Sequence, residues 1–175
     1  GVMGSAVGMD KVMTRIVAEH LGIKVPRGEV YGGGDIESFT AGMKLDYPVI
    51  VKPSREGSTI NVTIVEDKSG MKSAMETAFG SDDKVLVEEF INGKEITVGV
   101  LNGRALTPLE VAPKDGFYDY KHKYTKGMTD YILPARISEK AMQNVREDSV
   151  KLYKALDGSG VARVDFIVTG QEVPY

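Results

Sequence analysis

The sequence predicts an α+β fold, and three observations carry that expectation. Stretches of helical and strand-like spacing are interleaved, hairpin signals are frequent, and no long series of strand–helix–strand crossovers calls for a parallel sheet. Met9, Val12, Met13, Ile16, Val17 and Leu21 recur at helical spacing, Gly22 offers a stop and Pro26 follows, which predicts a helix over residues 9–22. "RGEVY" is a short strand, and "GGGD" is a turn whose Asp35 can cap a helix over residues 36–45. In "VIVKPSREGSTINVTIV", residues 49–65, Val49 and Val51 point to one face of a strand and Ile50 and Lys52 to the other. Pro53 ends the ladder and the chain turns strand-like again at Val62–Val65, so the stretch reads as a hairpin with a long polar tip. Met71, Ala74, Met75 and Ala78 make the apolar stripe of a helix over residues 68–79.

Three strands follow, at residues 84–91, 95–102 and 104–112, joined by Asn-Gly at 92–93 and again at 102–103. Asn-Gly is the strongest short-range hairpin signal, so this part is expected to be antiparallel. "PKDGFYDYKHKYTKGMTD" has no sustained period and reads as a long functional loop. Ser138 is placed to cap a helix with the stripe Met142, Val145, Ser149, Leu152, Tyr153 and Leu156, and "VARVDFIV" reads as a buried strand. The chain opens in a Gly-rich stretch without a recognisable element and stops at "QEVPY", a strand-like run barely begun. Both ends therefore read as cut.

The composition narrows the function classes. With 175 residues, 42% apolar and 27% charged, the chain has the make-up of an ordinary globular protein. A net charge of −3 argues against a general nucleic-acid surface. No apolar run is long enough to span a bilayer, nothing resembles a secretion signal, and there is no cysteine for a disulfide framework, so the cytoplasm is the expected compartment.

Four groups of residues carry possible chemistry, each with a structural alternative. Lys52 reads either as a strand-edge lysine that discourages aggregation, or as a cation that neutralises a phosphate wrapped by "SREGST". Glu88 and Glu89 lie on opposite faces of their strand, and Glu95 shares a face with Thr97; Glu95 and one of the two neighbours are either solvated carboxylates or contacts to a ribose or adenine. Arg163 and Asp165 face the same way on "ARVDF", as a structural ion pair or as a phosphate clamp beside a carboxylate for a hard divalent cation. "FYDYKHKY" packs aromatics and lysines into a polar loop, which suits a lid that closes over something. His20 and His122 lack metal-ligand spacing and read as a helix-face residue and a solvated one.

Taken together, "MDK … VIVKPSREGST … VLVEEFINGKEITVGVL … FYDYKHKY … ARVDF", in this order over nearly the whole chain, resembles the D-alanine–D-alanine ligases of the ATP-grasp superfamily. The resemblance implies an ATP-grasp fold, with two antiparallel-sheet subdomains flanked by helices and truncated at both ends. Residues 1–93 would be the central subdomain and 94–175 the first part of the C-terminal one. It implies that Lys11 and Lys52 contact the phosphates of ATP and that Ser54–Thr59 is the grasp loop, with Ser58 on the nucleotide and in catalysis. Glu88, with the backbone of Glu89 and Ile91, would hold adenine, and Glu95 the ribose. Arg163 would stabilise the acyl-phosphate and tetrahedral species, and Asp165 would ligate magnesium or manganese. Tyr118, Lys123 and Tyr124 would form the lid, with Tyr118 and Lys123 on the nucleotide and Lys123 and Tyr124 in catalysis.

The implied reaction joins two D-alanines for peptidoglycan precursors, in a parent enzyme expected to be a homodimer without nucleic-acid or membrane partners. The family pattern departs at Thr59 and Asn61, where a second serine and a glycine are usual; Thr keeps a hydroxyl and Asn tolerates left-handed backbone. The family's N-terminal domain and its remaining metal ligands are not in the chain, so the expectation is a piece inactive by itself. The runner-up readings are a ligase for D-lactate or D-serine and a nucleotide-binding module without catalysis.

Overall fold

Valines alternate along two neighbouring strands, and this alternation builds the first sheet. In this computed structural model, which describes residues 1–57, 59–114 and 128–175, the chain divides into two compact units. One comprises Met9–Thr14 and Pro26–Phe90; the other comprises Gly1–Gly8, Arg15–Val25 and Ile91–Tyr175.

The first unit holds strands β1 (Gly28–Tyr31), β2 (Val49–Pro53), β3 (Thr63–Val65) and β4 (Val85–Glu89) in the order β1-β4-β2-β3, every neighbour antiparallel. Val49, Val51, Val85 and Val87 share one face and are fully buried. Against them pack Met71, Ala74, Met75 and Ala78, the stripe expected of its helix. That helix runs Met71–Phe79 after a 3-10 turn at Lys68–Gly70 whose start is capped by Asp67. The helix Ile36–Gly42 is capped by the Asp35 carboxylate, which accepts from the Ser38 N–H, as its sequence predicts. The opposite face of the sheet carries Ile50, Lys52, Leu86 and Glu88.

The second unit is built on β5 (Gly93–Leu101). Strand β9 (Val161–Thr169) pairs with it along its whole length. β6 (Arg104–Ala105) and β7 (Leu109–Pro113) pair with β5 in succession, and β8 (Thr129–Ile132) pairs with β7. All these pairings are antiparallel. The helix Glu139–Ala155, capped by Ser138, buries Ala141, Val145, Ser149, Leu152 and Tyr153. Ala141 and Val145 pack with Ile96, Val98, Phe166 and Val168, while Leu152 packs with Ala18 and Ile23. Ser149, a polar residue on that stripe, donates its hydroxyl to the Val145 carbonyl at 2.6 Å, so its burial leaves no unmade bond.

Five expectations are corrected. The helix expected over residues 9–22 runs Lys11–His20 (α2), because the Asp10 carboxylate accepts from the N–H groups of Val12 and Met13 and starts it there, and a separate helix, α1 (Val2–Met9), precedes it. The stretch before Met9 thus has structure where none was expected. Asn92-Gly93 does not join a hairpin: β4 and β5 lie in different sheets. The run 104–112 is two strands, broken ahead of Pro108, which has no N–H for a ladder. Strand β9 is buried only in its second half; Val161, Arg163 and Asp165 are exposed. The run "QEVPY" is strand-like as expected: it turns back on β9, with paired backbone bonds between Ile167 and Tyr175.

Candidate functional site

Lys52 stands on β2, an interior strand that pairs with β4 along Val49–Pro53 and with β3 along Val49–Val51, so Lys52 lies one residue past the end of the β3 pairing. Its ammonium forms an ion pair with the carboxylate of Glu88 on the same face, and Glu88 is only 5% exposed. Glu89 lies on the other face, where its carboxylate accepts from the Arg27 N–H at 2.8 Å and from Arg27 Nε at 3.0 Å. Opposite faces for these two glutamates are what strand alternation requires.

Lys11 enters the same unit at the first residue of α2. Its backbone N–H donates to the Ser54 carbonyl at 2.9 Å, and its ammonium donates to the carbonyls of Pro53, Ser54 and Glu56. Three carbonyl dipoles thus receive the ammonium at the root of the loop that follows β2. Burial lowers the pKa of Lys11 from its ordinary value, and the positive charge of Lys52 lowers it further. The Lys11 ammonium thus sits on the carbonyl of Pro53, the residue after Lys52, and two cations brought in this way to one loop root suit a multiply charged anion.

The loop root is held by a set of bonds that the sequence reading did not identify. Ser54 is fully buried and donates its hydroxyl to Asp10 Oδ1 at 2.6 Å. Lys84 Nζ donates to Asp10 Oδ2 at 2.9 Å, and the Ser54 N–H donates to the Lys84 carbonyl. The Arg55 N–H donates to Asp82 Oδ2 at 2.6 Å, and its guanidinium pairs with Asp82 and Asp83. Burial alone would raise the Asp10 pKa, but bonds from Ser54, Lys84 and the Met13 N–H outweigh it and hold the carboxyl well below its usual range. The signal for it in the sequence is the aspartate directly before Lys11, a residue type that caps helix starts.

In the other unit, Glu95, Thr97 and Gly99 share one face of β5 with Ile167, Asp165 and Arg163, their direct partners on β9. The Arg163 guanidinium donates to Asp165 Oδ2 at 2.9 Å, and the Thr97 hydroxyl donates to Asp165 Oδ1 at 2.5 Å. Arg163 and Asp165 have side chains 70% and 59% exposed, so this is an open pair and not a buried strut. Ile91 lies just ahead of β5 and is half-buried. Among the described residues no group of three or more His, Cys, Asp or Glu side chains is placed to hold a metal ion. Ser58, Tyr118, Lys123 and Tyr124, with the expected lid and His122, lie outside the described residues.

Residues 35–175 match the protein family described as the D-ala D-ala ligase C-terminus. The chain belongs to that family. A D-alanine–D-alanine ligase from Syntrophotalea carbinolica is 46% identical over 169 residues, which cover 97% of this chain and 54% of that protein. A second, from Halalkalibacterium halodurans, is 41% identical over 96% of the chain and 56% of its own length. The crystal structure of VanG D-Ala:D-Ser ligase from Enterococcus faecalis superposes with a TM-score of 0.86 at 34% identity, covering 98% of this chain and 52% of that one. The D-alanine–D-alanine ligase from Bacillus anthracis superposes with a TM-score of 0.81 at 31% identity, over 99% and 56% of the two chains. The chain thus spans about half the length of the family relatives it matches, and its fold is the α+β ATP-grasp fold that its sequence predicts. Among the described residues no helix is long and apolar enough to cross a membrane.

Proposed function

We propose that this chain forms the nucleotide-binding part of an ATP-dependent D-alanine–D-alanine ligase. The observation that carries the reading is geometric: in a chain of this family, the Lys11 ammonium lies against the carbonyls of Pro53, Ser54 and Glu56, directly after Lys52, at the root of a polar loop. On this reading the two ammonium groups receive the phosphates, and the loop from Ser54 to Thr59 covers them. Glu88, with the backbone of Glu89 and Ile91, receives adenine, and Glu95 the ribose. The carboxylate of one D-alanine attacks the γ-phosphorus and releases ADP; the amine of a second D-alanine then displaces phosphate from the acyl phosphate. Arg163 neutralises charge on that acyl phosphate, and positioning with charge neutralisation supplies most of the acceleration.

Asp165 is our choice for one oxygen ligand of magnesium or manganese. A hard cation of this kind takes about six oxygens, and among the described residues no group of three or more His, Cys, Asp or Glu side chains is placed to supply the rest. Ser58, Tyr118, Lys123 and Tyr124 are assigned to the site and its lid by the family pattern alone. Residues 1–93 and 94–175 are taken as the central subdomain and the beginning of the C-terminal one. A reaction that consumes ATP and D-alanine for wall precursors belongs to the cytoplasm.

Two measurements test the reading. Nuclear magnetic resonance titration of the chain with ATP should move the amide signals of Lys11, Lys52 and Glu88 together. A chimera of the Syntrophotalea carbinolica ligase, with its matching stretch replaced by this chain, should release phosphate from ATP only when D-alanine is supplied. A chimera that folds, binds ATP and yields no D-alanyl-D-alanine, or yields mainly the D-serine product, would remove the assignment.

A further inference from the structure

Asp10 lies beside the lysine pair, yet it contacts no atom assigned to a ligand. Asp10 is 9% exposed, and its carboxylate is engaged on both oxygens. Capping of α2 accounts for the bonds from the Val12 and Met13 N–H groups at 3.0 and 3.1 Å, a common duty for an aspartate at a helix start. It does not account for the other two. The Ser54 hydroxyl reaches Asp10 Oδ1 from the end of β2, and Lys84 Nζ reaches Oδ2 from the residue before β4. One carboxylate therefore joins three segments that are distant in sequence, and two of them lead directly to Lys11, to Lys52 or to the loop. α2 begins with Lys11, β2 ends one residue after Lys52, and Ser54 opens the loop.

We propose that Asp10 is a positioning residue for phosphate recognition, holding Lys11 and the root of the grasp loop in the geometry that receives the polyphosphate. This deepens the nucleotide reading given above and rests on it. The physical ground is that the Lys11 ammonium is aimed by where its backbone starts. The Lys11 N–H docks on the Ser54 carbonyl, and the ammonium itself lies against the carbonyls of Pro53, Ser54 and Glu56. If Asp10 releases Ser54, both supports of Lys11 are loosened at once. Lys84 would at the same time lose the carboxylate that receives its ammonium. An ammonium that must search for its phosphate gives up the benefit of preorganisation, which is felt by the polyphosphate and not by the base.

The test compares two ligands on the same protein. ATP and adenosine are titrated in parallel, by nuclear magnetic resonance, into the unmutated chain and into Asp10→Ala, Asp10→Asn and Ser54→Ala. Loss of one charge-assisted support is expected to weaken ATP about tenfold in Asp10→Ala and to change adenosine less than about twofold. Asp10→Asn keeps an oxygen for Ser54 and the two N–H groups, so it should recover part of the ATP affinity. A purely structural role would lower the melting temperature and shift both ligands alike, or neither, and that result overturns the inference. If Asp10→Ala does not fold, Asp10→Asn and Ser54→Ala decide it by the same ratio. Failure of the unmutated chain to bind ATP would remove the nucleotide reading and this inference with it; normal ATP binding with an unchanged ratio in the variants removes only the inference.

Discussion

A lysine taken from water gives up hydration, so the surroundings of Lys11 and Lys52 determine what each can do. Lys52 is paired with the buried Glu88, which means that Lys52→Ala acts on the fold as well as on any ligand. Leaving a buried carboxylate without its partner typically costs about 3–5 kcal/mol, and the partial exposure of Lys52 places this case toward the lower end. In the chimera, loss of a preorganised charge should also lower kcat/KM for ATP by roughly 10²–10³. Urea unfolding and steady-state kinetics check the two effects separately; a variant with normal stability and normal ATP dependence would show Lys52 to be idle. The acidic side has its own signature. Asp10, Asp82 and Glu110 all have folded pKa values below their ordinary ones. Their stabilisation is complete above the ordinary carboxylate values, 3.8 for Asp and 4.5 for Glu, and is lost as pH falls through the folded ones. The melting temperature should therefore decline steeply below about pH 4, where the unfolded carboxylates begin to bind protons first. Asp10→Asn should flatten that decline, and an unchanged slope would contradict the role given to the Asp10 carboxylate.

Two identical dipeptides, read alike in the sequence, behave differently at the scale of elements. Asn102-Gly103 closes the β5–β6 hairpin with both residues at positive φ, 47° and 78°. This is the backbone that a two-residue hairpin needs. Gly103→Val should cost about 1–3 kcal/mol, because a β-branched residue resists a left-handed conformation. A urea midpoint unchanged by that substitution would rule out the turn geometry. Asn92-Gly93, in contrast, lies where the chain passes from one sheet to another, and Gly93 is already part of β5. A side chain there would meet the Val168 carbonyl oxygen at 2.5 Å, so this glycine serves a close strand approach and not a turn. Glu110 is a second element-scale feature absent from the sequence reading. It is 3% exposed on β7 and accepts from the Arg136 N–H at 3.0 Å and from the Arg136 guanidinium. A carboxylate next to Val111 in a strand gives no hint of a partner 26 residues away.

At the scale of the molecule, ligand linkage gives a test that is independent of turnover. A nucleotide that binds only the folded chain, supplied at about a hundred times its Kd, adds about 2.7 kcal/mol to the unfolding free energy. ATP should therefore raise the melting temperature, adenosine less so, and the shift should shrink in Lys11→Ala. A melt that ATP leaves unmoved up to millimolar concentration would count against the nucleotide reading of the whole chain.

The sequence by itself determined the α+β class, the stripe Met71, Ala74, Met75 and Ala78, the caps at Asp35 and Ser138, and the family. Each depends on residues within about one or two turns of each other, or on motifs whose order survives without coordinates. It also placed Arg163 and Asp165 on one face, since a period of two is a local property. Only the tertiary structure decided that Lys52 stands on an interior strand, that Glu88 is its partner, and that Asp10 gathers Ser54 and Lys84. The reason is separation: Asp10 meets Ser54 across 44 positions and Lys84 across 74, and no local spacing rule connects residues so far apart. Strand order has the same origin, because which strand becomes interior depends on the pairing of β2 with both β3 and β4, and β4 begins 32 positions after β2 ends.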